Sequence, residues 1–255
     1  MHHLTVPPTG RPDPLAALLD LPGLPLAVTE ATDAVDRLLA HRVLRRGSAA
    51  VSSESALRGA RASAALDGAD LDLAQVRQGL GGPVVRGALR VSAQLGTYVE
   101  VWSRAPGQVL AGLHVLAARE LTGADRLGRP SAGAEAVFRL EALCALLAGP
   151  VSVPAVVLAG VVHGELLTLA PFAAGNGVVA RAASRLTMVS RGLDPKAVSV
   201  PEAGHAELAG AYADCAAGYA SGEPAGVAAW LRHCCAAVVL GAREGLAICE
   251  AALRA

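Results

Sequence analysis

The sequence predicts an all-α protein, and three features of the chain support that fold class. Apolar residues recur three and four positions apart in segments such as "AVDRLLAHRVL" and "QVLAGLHVLAARELTG", a spacing that places them on one face of a helix. Alternating runs of β-branched residues, which are typical of strands, are nearly absent. The segments end at stretches rich in Gly or Pro, such as "RGLDP" and "ASGEPAG". Counting these breaks predicts a bundle of about eight helices.

The first 30 residues are expected to form an extended N-terminal arm. Six prolines lie in this stretch, and each removes a backbone donor and fixes φ. The helical pattern begins at Ala31 and continues to the end of the chain. At 255 residues the protein is long enough for one domain with a buried core.

Charge and cysteine content exclude several classes of function. Lys and Arg together number 22, as do Asp and Glu, so no basic field attracts nucleic acid or an anionic membrane. Aromatic residues make up 3%, too few for a base-stacking platform. The five cysteines form no CxxC pair, which argues against a disulfide framework and a structural metal. We therefore expect no nucleic acid partner and no bound metal.

The mean hydropathy of +0.44 is high enough to raise the question of a membrane span. The most apolar run, "VSVPAVVLAGVVHGELL", contains Pro154, His163 and Glu165, and it ends before the roughly 18 to 20 residues that a span needs. The N-terminus has no apolar segment of the kind found in signal peptides. We expect no membrane association and a cytoplasmic location.

The stretch "LAPFAAGNGVVAR", residues 169–181, predicts a candidate phosphate-binding turn. Gly175, Asn176 and Gly177 lie where a helix begins, and unpaired N–H groups at such a position favour an anion. Arg181, one turn into the helix, can reach the same anion with its guanidinium group. The alternative is a tight turn between helices, in which glycine supplies positive φ and asparagine tolerates it.

This stretch resembles the signature of Fic-domain proteins, H-P-F-x-[DE]-G-N-G-[KR]-x-x-R, aligned without gaps over residues 170–181. Six positions of the signature match: Pro171, Phe172, Gly175, Asn176, Gly177 and Arg181. Three do not, since Ala170 replaces the family's catalytic histidine, Ala174 its acidic metal ligand and Val178 its basic residue. Upstream and downstream segments extend the resemblance over roughly residues 105–245. It implies N-terminal helices over 31–104 and a Fic-like core with the C-terminal helices over 105–255.

A second resemblance lies in "ASAALDGADLDLAQV". Self-inhibited Fic proteins carry a helix with [ST]-x-x-x-E-[GN], whose glutamate pairs with the last arginine of the signature. Ser63, Asp67 and Gly68 occupy those places here, in the segment 63–68. The resemblance implies an inhibitory pair between Asp67 and Arg181, with a reach one methylene shorter than in the family. The alternative is that Asp67 and Gly68 are an ordinary helix stop.

The departures from the signature argue against the family's usual chemistry. Alanine offers neither a titratable group nor an oxygen ligand, so we expect no catalytic residue, no metal site and no adenylyltransferase activity. His163 lies nearly two helical turns before Ala170, about 10 Å away along the axis, which is too far for a base. His114 lies on an otherwise apolar helix and is expected to be a core histidine, whereas His205, in "VSVPEAGHAEL", is expected to open a later helix and has no visible partner.

Three functions remain open. The first is a Fic-fold pseudoenzyme that keeps a phosphate-binding or nucleotide-binding turn and acts as a regulatory module. The second is a divergent nucleotidyl (AMP) or phosphoryl transferase with a non-standard base, and the third is a non-catalytic helical scaffold or dimer. No cofactor is fixed by the sequence, and ATP or another nucleotide is the candidate ligand. The candidate partners are another protein or a second copy of the chain.

Overall fold

A computed structural model describes residues 13–131 and 133–254 and confirms the all-α fold, with no strand in that part of the chain. It contains twelve α-helical segments, more than the eight or so expected. Three of them have seven residues or fewer, and such short segments show no clear periodicity. The helices are α1 (Leu24–Leu39), α2 (Ser48–Leu66), α3 (Leu73–Arg77), α4 (Pro83–Gln94), α5 (Val99–Trp102), α6 (Pro106–Ala118), α7 (Ala134–Ala148), α8 (Ala155–Leu169), α9 (Asn176–Ser190), α10 (Pro201–Glu207), α11 (Ala209–Ala220) and α12 (Pro224–Ala252).

The prediction of an extended arm over residues 1–30 is wrong for its second half. Ala16–Asp20 form a 3₁₀ helix, and α1 begins at Leu24. Pro25 lies in the first turn of α1, where a missing N–H leaves no hydrogen bond unmade, so proline here begins a helix instead of preventing one. The first part of the predicted arm, residues 1–12, lies outside the described residues.

Helix α8 is the central helix of the core. Eleven of its 15 residues are buried, because α9, α11 and α12 pack around it. Two glycines let neighbours approach closely: a methyl group at Gly160 would lie 2.9 Å from the Leu231 side chain, and one at Gly164 would lie 2.7 Å from Trp230 Nε1. The Trp230 indole donates to the Gly160 carbonyl at 2.8 Å. The apolar run that raised the question of a membrane span is therefore a buried core helix.

Helix α12 meets the length and composition of a membrane span. It has 29 residues, and 56% of its most apolar window is buried inside the protein. It packs along α1, α8, α10 and α11, as the core helix of a folded domain does.

The packing of α2, α4 and α9 positions the site. Helix α9 follows α8 after a short turn, so the N-terminus of α9 lies beside the C-terminus of α8. Helix α2 packs against α4, α9 and α10, and it ends at Leu66 close to that N-terminus. The C-terminal end of α2 and the N-terminal end of α9 thereby meet.

Candidate functional site

The glycine turn between α8 and α9 is held by its own side chains. Ala170 has φ 39° and Gly175 has φ 70°, so the chain passes through the left-handed region twice within six residues. The Asn176 side chain accepts a hydrogen bond from the Phe172 N–H at 2.9 Å and donates to the Phe172 carbonyl at 2.7 Å. This asparagine therefore uses its amide to fix the turn, and only its backbone is left to face a ligand.

The aromatic residue of the turn packs into the core. Phe172 is buried and stacks on His114, with ring centroids 4.2 Å apart and planes 9° from parallel. His114 Nδ1 accepts a hydrogen bond from the Gly128 N–H at 2.9 Å. Burial lowers the pKa of His114, and the nearby Ala174 carbonyl offsets part of that effect. Next to this stack, the Pro171 carbonyl accepts a hydrogen bond from the Ser131 N–H at 2.8 Å. His114 is thus a neutral core residue, as the sequence predicted.

Arg181 is buried, with 2% of its surface exposed, and each of its three guanidinium nitrogens donates at least one hydrogen bond. Nε donates to Ser63 Oγ at 2.9 Å, and Nη2 donates to the Ser63 carbonyl at 2.8 Å and to Asp67 Oδ1 at 2.6 Å. Nη1 donates to the Tyr212 hydroxyl at 3.3 Å. Burial opposes the charge of the guanidinium, but Tyr212 and Asp67 together raise the pKa of Arg181 above its ordinary value. Arg181 therefore remains a cation although it is buried.

The Asp67 carboxylate lies against the first turn of α9. A methyl group at Gly177 would be 2.9 Å from Asp67 Oδ2, closer still to Oδ1, and 3.0 Å from Arg181 Nη2. The predicted Asp67–Arg181 pair is present, and the shorter reach of aspartate is sufficient. The alternative also holds, because Asp67 caps α2 and Gly68, with φ 82°, ends it. One residue thus ends α2 and places a negative charge beside the first turn of α9.

Two solved structures share this helical arrangement. A Fic family protein from Desulfovibrio desulfuricans G20 superposes with a TM-score of 0.70 at 22% identity, covering 89% of this chain and 74% of that one. Fic-1 (residues 134–508) from C. elegans superposes with a TM-score of 0.71 at 15% identity, covering 90% and 73%. The chain has the Fic fold. No family model matches the sequence, and no curated protein matches it either.

Within the Fic fold, the positions that differ from the signature carry no chemistry. Ala170 is exposed, Ala174 is half-buried and Val178 is buried. The methyl side chain of alanine can neither accept a proton nor ligate a metal. The turn therefore keeps the backbone and the arginine of the signature without its base or its metal ligand.

The histidine closest in sequence to the turn, His163, faces the interior. It is fully buried, and its Nε2 lies 2.8 Å from the Tyr212 hydroxyl. Burial lowers its pKa well below the ordinary value, with smaller contributions from His205 and Arg181. Tyr212 bridges His163 to Arg181, a connection that sequence reasoning missed. Its only signal is the spacing of Tyr212 and Tyr219, seven residues apart on one face of an alanine-rich helix.

His205, on α10, also lies in the interior. Its Nδ1 is 3.1 Å from His233 Nε2. Among the described residues, one group has the composition of a metal site, and it consists of His163, His205 and Cys234. The three come from three different helices, so no local spacing in the sequence indicates them.

A cavity of 520 Å³ lies on another flank of α9. Its lining includes Ser63, Val178, Ala182 and Arg185, and it includes none of residues 170–177. Ser63 borders this cavity and also accepts a hydrogen bond from Arg181. A ligand at the glycine turn and a molecule in this cavity would therefore meet the same helix from different sides.

Proposed function

We propose that this Fic-fold protein is a non-catalytic module that binds a phosphate group of a nucleotide at the Gly175–Gly177 turn, and that Asp67 controls access to it. The observation that carries the proposal is the position of the Asp67 carboxylate. It lies against Gly177 and pairs with Arg181, so a carboxylate of the chain itself occupies the place of an anionic ligand. A place that holds one oxyanion has the charge and the donors to hold another.

The local electrostatics favour an anion for two reasons. The N-terminus of α9 carries unpaired N–H groups and the positive end of the helix dipole, and the helix has 15 residues. Arg181 adds a full positive charge, held in place by Ser63 and Tyr212. In this structure the Asp67 carboxylate pairs with Arg181 and offsets that charge. A ligand must therefore compete with Asp67.

The same geometry argues against group transfer. A general base must lie within about 3 Å of the proton it takes, or act through one water. The position expected for the base holds Ala170, and the neighbouring histidine, His163, is buried and already in contact with Tyr212. A magnesium-bound triphosphate needs an oxygen ligand, which Ala174 does not provide. Binding to this turn should therefore not depend on magnesium.

The test is calorimetric titration of ATP, with and without magnesium, into the parent and the Asp67→Asn variant. Asparagine keeps the size and one acceptor oxygen of the side chain but removes the charge that competes with a phosphate. We expect Asp67→Asn to bind ATP at least about tenfold more tightly than the parent, equivalent to about 1.4 kcal/mol, in both conditions. The matched control is Asp70→Asn, because Asp70 pairs with Arg61 on an exposed surface nearby and should leave affinity unchanged.

Two outcomes would overturn the proposal. Binding of neither ATP nor inorganic phosphate by the parent and by Asp67→Asn would mean that the turn is only a structural connection. Transfer of label from α- or γ-labelled ATP to a protein or small molecule, with the same Asp67 dependence, would show a divergent transferase instead of a module.

A further inference from the structure

Behind the glycine turn, a cluster of rings fills the space between α8, α10, α11 and α12. Its members are His163, His205, Tyr212, Trp230 and His233. The His163 and His205 rings meet edge to face with centroids 4.9 Å apart, and the His205 and His233 rings stack at 5.2 Å. All three histidines are buried. Each imidazole brings two polar nitrogens that need partners, so three of them are an unusual way to fill an apolar core.

A buried thiol joins this cluster. One ligand atom from each of His163, His205 and Cys234 lies within 4.8 Å of the other two. The three residues come from α8, α10 and α12, and none is more than 4% exposed. Two imidazoles and a sulfur at this separation form a set of metal-ligand types drawn from three helices.

Hydrogen bonding within the cluster leaves one ring nitrogen of His163 for a ligand. His163 uses Nε2 to contact the Tyr212 hydroxyl, while its Nδ1 has no hydrogen-bonding partner among the described residues although it is fully buried. His205 uses Nδ1 to contact His233. In metal sites, one ring nitrogen binds the ion and the other is oriented by a hydrogen bond of this kind. His163 has this arrangement, with one ring nitrogen in a hydrogen bond and the other without a partner among the described residues, and His205 has one ring nitrogen in contact with His233.

We propose that His163, His205 and Cys234 bind a zinc ion. Imidazole and thiolate ligands select zinc over magnesium or calcium, which take oxygen ligands. On binding, the Cys234 thiol loses its proton to solvent and the sulfur forms a bond to zinc, while both imidazoles bind as neutral donors. Three protein ligands leave a fourth position for water.

The three ligand atoms must move closer together to bind a zinc ion. Zinc–nitrogen and zinc–sulfur bonds of about 2.0 to 2.3 Å place tetrahedral ligand atoms roughly 3.3 to 3.7 Å apart. The longest separation in the cluster is 4.8 Å, so the side chains must close by about 1 Å. Rotamer adjustment of Cys234 and His205 supplies a movement of this size.

A zinc ion here would restrain Arg181 through His163 and Tyr212. His163 contacts Tyr212 at 2.8 Å, and Tyr212 accepts a hydrogen bond from Arg181 at 3.3 Å. Fixing His163 therefore restrains the arginine that Asp67 and a phosphate compete for. The zinc site does not depend on the proposed function, since it would stabilise the fold whether or not the turn binds a nucleotide.

The test compares metal content and cobalt spectra of the full-length parent, Cys234→Ala and Cys235→Ala. Cys235 is the matched control, because it is the adjacent buried cysteine and lies outside the group of three ligands. Each protein is purified from zinc-supplemented medium, its zinc is measured by mass spectrometry, and it is then refolded with Co²⁺ alone. We expect about one zinc per chain and a cobalt–thiolate absorption band for the parent and for Cys235→Ala, and the loss of both for Cys234→Ala.

If Cys234→Ala does not fold, the zinc content and the cobalt spectrum of the parent alone test the proposal. A parent that carries no zinc and shows no cobalt–thiolate band after refolding would overturn the proposal, and the cluster would then be a packing of neutral rings. A cobalt band that persists in Cys234→Ala and disappears in Cys235→Ala would also overturn it, because the thiolate ligand would be the wrong residue.

Discussion

Replacing Gly177 with alanine should separate the Asp67–Arg181 pair without altering either charged residue. A methyl group at Gly177 would lie 2.9 Å from Asp67 Oδ2 and closer to Oδ1, so the carboxylate has to leave its place. The backbone at Gly177 is helical and does not have positive φ, so alanine fits the main chain. Helix propensity favours alanine over glycine by about 0.8 to 1 kcal/mol.

The magnitude follows from the burial of the two partners. Breaking a buried ion pair costs about 3 to 5 kcal/mol, but the Asp67 side chain is 25% exposed and water screens part of the charge. Arg181 also keeps its hydrogen bonds to Ser63 and Tyr212. We therefore expect a loss of about 2 to 3 kcal/mol from the pair. After the gain in helix propensity, Gly177→Ala should be less stable than the parent by about 1 to 2 kcal/mol.

A double-mutant cycle tests this reasoning. In the Asp67→Ala background no carboxylate is displaced and the remaining close contact is with Arg181 Nη2 at 3.0 Å, so Gly177→Ala should range from neutral to stabilising by about 1 kcal/mol. The assay is urea unfolding followed by far-UV circular dichroism. Gly210→Ala is the control, since no atom lies within 4 Å of its added methyl group and it should stabilise both backgrounds equally. Equal destabilisation by Gly177→Ala in both backgrounds would refute the assignment of Asp67 to the turn.

Three further predictions follow from packing, burial and backbone conformation. Gly204→Ala places a methyl group within 2.8 Å of the backbone of α12, so it should destabilise the protein by about 1 to 3 kcal/mol in urea unfolding, whereas Gly210→Ala should not. His163 and His205 stay neutral in the folded state because burial lowers each pKa, so stability in the presence of a chelator should fall as pH drops below about 6.5, where the unfolded chain takes up protons. The slope should approach about 1.4 kcal/mol per pH unit for each histidine, and a flat unfolding free energy between pH 7 and pH 5 would contradict it. Ala170→Gly removes the backbone strain of an alanine with positive φ, so it should stabilise the protein by up to about 1 kcal/mol and raise the thermal midpoint of unfolding. A lower midpoint would show that the turn does not strain this residue.

The features that the sequence predicted well are those that depend on residues close together in the chain. Spacing of three and four residues indicated the helices, and "GNG" indicated a turn with positive φ followed by a helix. The absence of an acid and a base at Ala170 and Ala174 also needs no structure, since it is a matter of residue identity. The prediction of an extended N-terminal arm was wrong for its second half because the effect of proline depends on its position. Proline disrupts the interior of a helix but is favourable in its first turn. Only the point at which the helix begins separates the two cases, and α1 begins at Leu24, one residue before Pro25.

The contacts on which the proposed function rests lie between residues far apart in the chain. Asp67 and Arg181 are separated by 114 residues, and Arg181 and Ser63 by 118. The sequence could offer the pair only as one of two interpretations, because nothing local fixes where the end of α2 meets the start of α9. The packing of α2 against α4, α9 and α10 fixes that meeting point.

The sequence by itself determined that this chain is helical, that it keeps a glycine turn with an arginine after it, and that alanine stands at positions 170 and 174. The tertiary structure alone decided that Asp67 pairs with Arg181 beside the first turn of α9, that Arg181 is buried, and that His163, His205 and Cys234 converge in the core. The physical reason is that a helix period fixes which residues share a face. The relative rotation and depth of packed helices depend instead on side-chain volumes and close glycine contacts along the whole chain.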